Sequence, residues 1–104
     1  MGLFDLFHRP SMDQGLTQWR ETPGAVLLDV RTPGEYRSGH IPKAVNLPLD
    51  RLSTGKLPAK KPVFVYCLSG GRSAQACAWL KRQGFEAINL GGIHSYRGPL
   101  ETKA

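Results

Sequence analysis

Apolar and polar positions follow two rhythms along this chain. From Ser11 to Glu21, Met12, Leu16 and Trp19 recur at i, i+4 and i+7, one apolar stripe of a helix. Ser11 or Asp13 can cap its start, and the TPG at 22–24 ends it. The runs AVLLDV at 25–30 and PVFVYC at 62–67 are instead almost continuously apolar, with Asp29 the exception. Their length and β-branched content predict strands buried on both faces, the pattern of a parallel sheet. HIPKAVNLPL at 40–49 predicts a short strand around Val45–Leu47, fenced by Pro42 and Pro48, and FEAINL at 85–90 a further one.

Between these runs lie helix signals. Thr32, then Pro33, then Glu35 three residues on from Thr32, form a capping box with proline at the first helical position; Gly39 stops the short helix they begin. Ser73 to Gln83 predicts a stronger helix, with Ala76, Cys77 and Leu80 on its inner face and Gly84 at its end. Residues 50–61 read as a polar connector with room for one helical turn. GGIHSYRG at 91–98 reads as a turn with a short helix, and the stretch after Pro99 as frayed. The expected organisation is an N-terminal tail (1–10), one domain (11–98) and a C-terminal tail (99–104). Strands alternating with helices predict an α/β fold with a mainly parallel sheet, whose ligands bind at the carboxyl ends of the strands.

Composition narrows the class. A chain of 104 residues, 40% apolar and 21% charged, supports one packed domain. Its two cysteines are too few for a disulfide framework, and His8, His40 and His94 are scattered without zinc-ligand spacing. The expectation is no metal, no cofactor and a reducing cytoplasm. The opening MGLFDLFHR has no basic n-region, Leu6 stands where myristoylation needs Ser or Thr, and no run approaches the roughly 18 apolar residues of a membrane span. Leu3, Phe4, Leu6 and Phe7 are expected to pack on the domain or to form a small sticky tail. The net charge of +6 is spread along the chain, with Lys60–Lys61 only a pair and no aromatics interleaved. An anionic small molecule therefore fits better than nucleic acid.

The chemistry concentrates in VYCLSGGRSAQACAWL, 65–80. A strand ends at Cys67, a loop of Leu68, Ser69, Gly70 and Gly71 follows, and Arg72 stands just before the helix that Ser73 begins. The first amides of a helix lack intrahelical partners, and the helix dipole adds positive charge there. Gly70 and Gly71 allow successive amides to turn inward as a nest, and Arg72 adds a permanent cation. A thiol in that field ionises more readily than free cysteine, whose pKa is about 8.5. An unremarkable cysteine is a small buried hydrophobe, which is how mid-helix Cys77 reads. Asp29, at the end of a buried strand, needs a partner, with Arg31, loop amides and His40 as candidates. Glu35 either pairs with Arg31 or serves the capping box.

LLDVRTPGEYRSGHIPKAVNLPL, VFVYCLSGGRS and NLGGI, in this order between Ala25 and Tyr96, resemble a single-domain rhodanese-like sulfurtransferase. The resemblance implies a mostly parallel five-stranded sheet flanked by helices on both faces. It implies that Cys67 takes sulfane sulfur from a small anionic donor such as thiosulfate, becomes a persulfide, and passes the sulfur to cyanide or a thiol or protein acceptor. Leu68, Ser69, Gly70, Gly71, Arg72 and Ser73 would then surround that sulfur. Asp29, Arg31, Glu35 and His40 would support the site, His40 structurally, and Arg97 is a weaker candidate for holding the donor. Gly91, Gly92 and Ile93 match the closing turn. The alternative function is a low-turnover persulfide carrier or binding module in a sulfur relay, with the apolar N-terminal patch as its docking surface. Related phosphatases and arsenate reductases use a loop one residue longer, usually with histidine where this chain has Tyr66. Leu68 stands where many members carry a basic residue, and Tyr96 where many carry tryptophan.

Overall fold

The computed structural model describes residues 10–57 and 61–102. Helix α1 (Met12–Glu21) opens on Ser11, whose hydroxyl accepts the Gln14 amide while the Gln14 side chain accepts the Ser11 amide. Its apolar stripe buries Met12 and Leu16. Strand β1 (Val26–Asp29) leads through Thr32 into helix α2 (Pro33–Ser38), where the Thr32–Glu35 capping box forms as its spacing predicts. The short strand β2 (Val45–Asn46) is followed by a 3-10 segment, Leu49–Thr54. Strand β3 (Val63–Cys67), helix α3 (Gly71–Arg82), strand β4 (Ala87–Gly92) and a 3-10 turn at Ile93–Ser95 complete the fold.

The strands pair in the order β2-β1-β3-β4, all parallel. All five residues of the central strand β3 are buried, and alternation sends them to two cores. Phe64 and Tyr66 pack with Leu27 and with Met12 and Leu16 of α1. Val63, Val65 and Cys67 pack with Leu28, with Leu52 of the 3-10 segment and with Ala76, Cys77 and Leu80 of α3. Parity therefore puts Cys67 on the α3 side; a one-residue slip would turn it to the other face. The carboxyl ends of the strands carry Asp29, Cys67 and Gly92 to one edge of the sheet.

Three expectations change. Among the described residues there are four strands rather than five: those ahead of β1 form α1 and its exit turn. Helix α3 starts two residues before Ser73, because Gly70 makes the turn and Gly71 is already helical. The stretch after Pro99 is tied down at Glu101, which exchanges two backbone hydrogen bonds of 2.8 Å with His40. The N-terminal apolar patch, Leu3 to Phe7, lies outside the described residues.

Candidate active site: the Cys67 loop

Gly70 takes the left-handed conformation, φ 111 and ψ −14, which a side chain would strain. That single turn reverses the chain after Cys67 and points amides back at the sulfur. Sγ accepts the Gly70 N–H at 3.0 Å and the Ser73 N–H at 3.3 Å, and the Ser73 hydroxyl lies 3.4 Å away. Burial pushes the Cys67 thiol up and is the largest single influence. The Ser73 hydroxyl and the amides of Ser73, Gly70 and Ser69 together outweigh it, so the thiol lies below its ordinary value. Cys67 is only 1% exposed. Sulfur at this point is thus buried yet held by donors, the arrangement that favours a thiolate over a thiol. Gly71, expected to share the nest conformation, has an ordinary helical φ, and a side chain there would meet nothing within 4 Å.

A residue the sequence analysis passed over completes this cup. Asn89 of β4 accepts the Ser73 hydroxyl at 2.8 Å and the Gly91 N–H at 2.8 Å. A bulge makes both possible: Val65 pairs with Asn89, but the next residue of β3, Tyr66, pairs with Gly91, with φ 90 at Gly91. The same bulge lays Gly92 directly on the cysteine loop. A Cβ on Gly92 would overlap the Leu68 carbonyl oxygen and lie 2.7 Å from Ser69 Cα. The available signal was an asparagine two residues before a glycine at the end of a strand.

The charged residues pair differently from the simplest reading. Arg72 is half-buried and is not a free cation: its Nη1 and Nη2 donate to Glu35 Oε1 and Oε2 at 2.8 and 3.0 Å. The hydrogen bond from Arg72 holds the Glu35 carboxyl down at about 2 against the opposing effect of burial. The expected Arg31–Glu35 alternative gives way; Glu35 serves the capping box and Arg72 together. Of the candidate partners of Asp29, Arg31 holds it, through Nη2 at 2.7 Å and Nε at 3.0 Å to both oxygens. Arg31 also donates to the Gly39 carbonyl at 2.7 Å and lies over the Tyr66 ring. Burial opposes the Arg31 charge, but its Asp29 partnership leaves it above its ordinary value. The Asn46 amide, also missed, ties the Asp29 and Arg31 carbonyls together at 3.0 and 2.9 Å.

His40 is buried away from this constellation. Its Nδ1 faces the Tyr36 carbonyl at 2.7 Å, its ring stacks on Tyr36, and Nε2 lies 3.6 Å from Glu101. Leu68 and Ser69 are exposed at the lip of the loop. Arg97 is exposed and shares no hydrogen bond or ion pair with the cysteine loop among the described residues. Cys77 is buried on the inner face of α3, and burial pushes its thiol up to about 11. A cleft of about 310 Å³ opens beside Arg72, lined by Val30, Thr32, Pro48, Leu49 and Asp50.

Residues 12–98 match the model of the rhodanese-like domain. The chain belongs to the rhodanese-like domain family. This rhodanese-like domain is similar to a sulfurtransferase from Allochromatium vinosum, 43% identical over 77 residues, covering 70% of this chain and 72% of that protein. It is also similar to a tRNA sulfurtransferase from Desulfurococcus amylolyticus, 38% identical over 81 residues, 76% of this chain but 16% of that protein. A rhodanese-like domain protein from Staphylococcus aureus has the same fold, with a TM-score of 0.80 and 28% identity over 94% of this chain and 100% of that one. A rhodanese with anions from E. coli matches with a TM-score of 0.66 and 30% identity over 77% and 99%. The family and these relatives support a sulfur-transfer role of the rhodanese type. Among the described residues, no helix is long and apolar enough to cross a membrane.

Proposed function

We propose that this rhodanese-like domain is a sulfurtransferase in which Cys67 carries sulfane sulfur as a persulfide. The observation that carries the proposal is the convergence of the Gly70 amide, the Ser73 amide and the Ser73 hydroxyl on one sulfur. In the first half-reaction the Cys67 thiolate attacks the outer sulfur of a donor. With thiosulfate the S–S bond of the donor breaks, sulfite leaves with the electron pair, and Cys67 gains a terminal sulfur. In the second, cyanide or a thiol attacks that terminal sulfur, the new S–S bond breaks, and Cys67 returns as thiolate. Splitting the transfer this way makes Cys67 a covalent catalyst. The same amides hold the charge before and after sulfur arrives, which costs no reorganisation at the moment of transfer. The donors around Sγ lower the thiol below its ordinary value, so Cys67 gives up its proton more readily without a neighbouring general base. The loop from Leu68 to Ser73 surrounds the sulfur, while Asp29, Arg31 and Glu35 fix the walls. A reducing cytoplasm keeps Cys67 and Cys77 as the free thiols described here.

A second reading is favoured by one observation, the 1% exposure of Cys67. A low-turnover carrier in a sulfur relay would load readily and discharge only to a partner that reaches into the loop. Steady-state transfer from thiosulfate separates the two. Turnover with cyanide or dithiothreitol that is lost in Cys67→Ser supports the enzyme. A single Cys67-dependent loading event followed by no release to either acceptor supports the carrier.

A further inference from the structure

The proposal rests on the persulfide reading above and concerns which donor can load Cys67. Arg72 is the cation of the cysteine loop, and the end-on face of its guanidinium, where an oxyanion would bind, is occupied by both oxygens of Glu35. Glu35 is not loosely placed. Its Oε1 also accepts the Thr32 amide at 2.9 Å and the Thr32 hydroxyl at 3.1 Å, so releasing Arg72 would loosen the cap of α2. Glu35 occupies the guanidinium directly, and Asp50 adds a further carboxylate to the lining of the cleft beside Arg72. The rest of the wall is Thr32 and the apolar Val30, Pro48 and Leu49. The overall charge of +6 draws anions of every kind toward the chain and does not distinguish among them.

We propose that the Glu35–Arg72 pair is a specificity device that disfavours dianionic donors such as thiosulfate and leaves the cleft to an organic persulfide. Thiosulfate brings two negative charges to a thiolate, so three meet beside a cation, Arg72, that Glu35 already neutralises. An organic persulfide brings at most one, as R–S–S⁻, and none in the protonated form R–S–SH that reacts as the electrophile. The Cys67 thiolate attacks its outer sulfur, the donor S–S bond breaks, and the R–S sulfur leaves as a thiolate with the electron pair. The proton stays on the transferred sulfur, and one negative charge is present throughout. The R group rests on the wall of Val30, Pro48 and Leu49.

The test measures the rate at which Cys67 gains sulfur, by intact mass, from thiosulfate and from cysteine persulfide, and takes the ratio of the two. Any change in Cys67 nucleophilicity moves both donors together and cancels. Glu35→Gln keeps an amide oxygen for the cap, as Gln14 does in α1, while removing the charge. In that variant the thiosulfate-to-persulfide ratio rises about tenfold, through a lower half-saturating thiosulfate concentration. Added salt shrinks the gain. The double variant Glu35→Gln with Arg72→Gln loses the gain. Asp50→Asn, which leaves the cap of α2 intact, shifts the ratio in the same direction. A ratio within about twofold of wild type in both Glu35→Gln and Asp50→Asn overturns the selection while leaving the persulfide reading standing. Wild-type protein that takes sulfur from neither donor overturns that reading and the selection with it.

Discussion

Asn89 Oδ1 accepts the hydroxyl of Ser73 at 2.8 Å, and that same hydroxyl lies 3.4 Å from the sulfur of Cys67. A hydroxyl has one proton to give. While Cys67 is a thiol, its S–H donates to Ser73 Oγ and the Ser73 proton goes to Asn89. When Cys67 ionises, the Ser73 hydroxyl turns to donate to the sulfur. Asn89 therefore holds Ser73 in place for a bond it makes only to the charged form.

Ser73, rather than Arg72, is the side chain that most favours the thiolate, since Arg72 is already paired with Glu35. Ser73→Ala removes one donor and raises the Cys67 pKa; Arg72→Ala raises it less. The pH at half-maximal alkylation rate measures both. A larger upward shift in Arg72→Ala than in Ser73→Ala contradicts the assignment.

Two glycines of the site give opposite outcomes. Gly92→Ala drives a methyl group into the Leu68 carbonyl and Ser69 Cα, so the loop must move. The expected loss is about 1–3 kcal/mol of stability together with slower alkylation of Cys67. Gly71→Ala meets nothing and keeps a helical φ, so it is neutral or gains up to about 1 kcal/mol. Urea unfolding of the two variants reads the contrast directly.

Asp29 and Arg31 are 0% and 4% exposed, so each depends on the other. Asp29→Asn leaves the guanidinium buried without a counter-charge. The cost is about 3–5 kcal/mol, enough to lower Tm by more than about 10 °C for a domain of this size. A Tm close to wild type would show that the pair is not structural.

Glu35 makes stability depend on acid. Its carboxyl is held at about 2 in the folded chain against an ordinary value of 4.5. A depressed folded value means the stabilisation is fully present above 4.5 and is lost as pH falls toward about 2. Urea midpoints measured across that window fall less steeply in Glu35→Gln than in wild type. Parallel curves would place the acid sensitivity elsewhere.

The sheet and the reactive loop were legible because they rest on local signals: the apolar runs at β1 and β3, the capping box at Thr32–Glu35, and a cysteine placed between a strand and a helix start. The pairing of charges was not. Glu35 and Arg72 are 37 positions apart, and only the assembled sheet puts α2 beside the start of α3. Asn89 escaped notice because its role depends on a bulge, which shifts register by one residue and leaves no periodic trace. The hold on Glu101 is likewise a long-range pairing with His40 that no local pattern announces.

The most direct measurement is the intact mass of the reduced protein after exposure to a sulfane donor, made on wild type, Cys67→Ser and Cys77→Ser. The account predicts a gain of about 32 Da, one sulfur, in wild type and Cys77→Ser and none in Cys67→Ser. Sulfur that persists in Cys67→Ser, or that no donor can place on the wild-type chain, contradicts it.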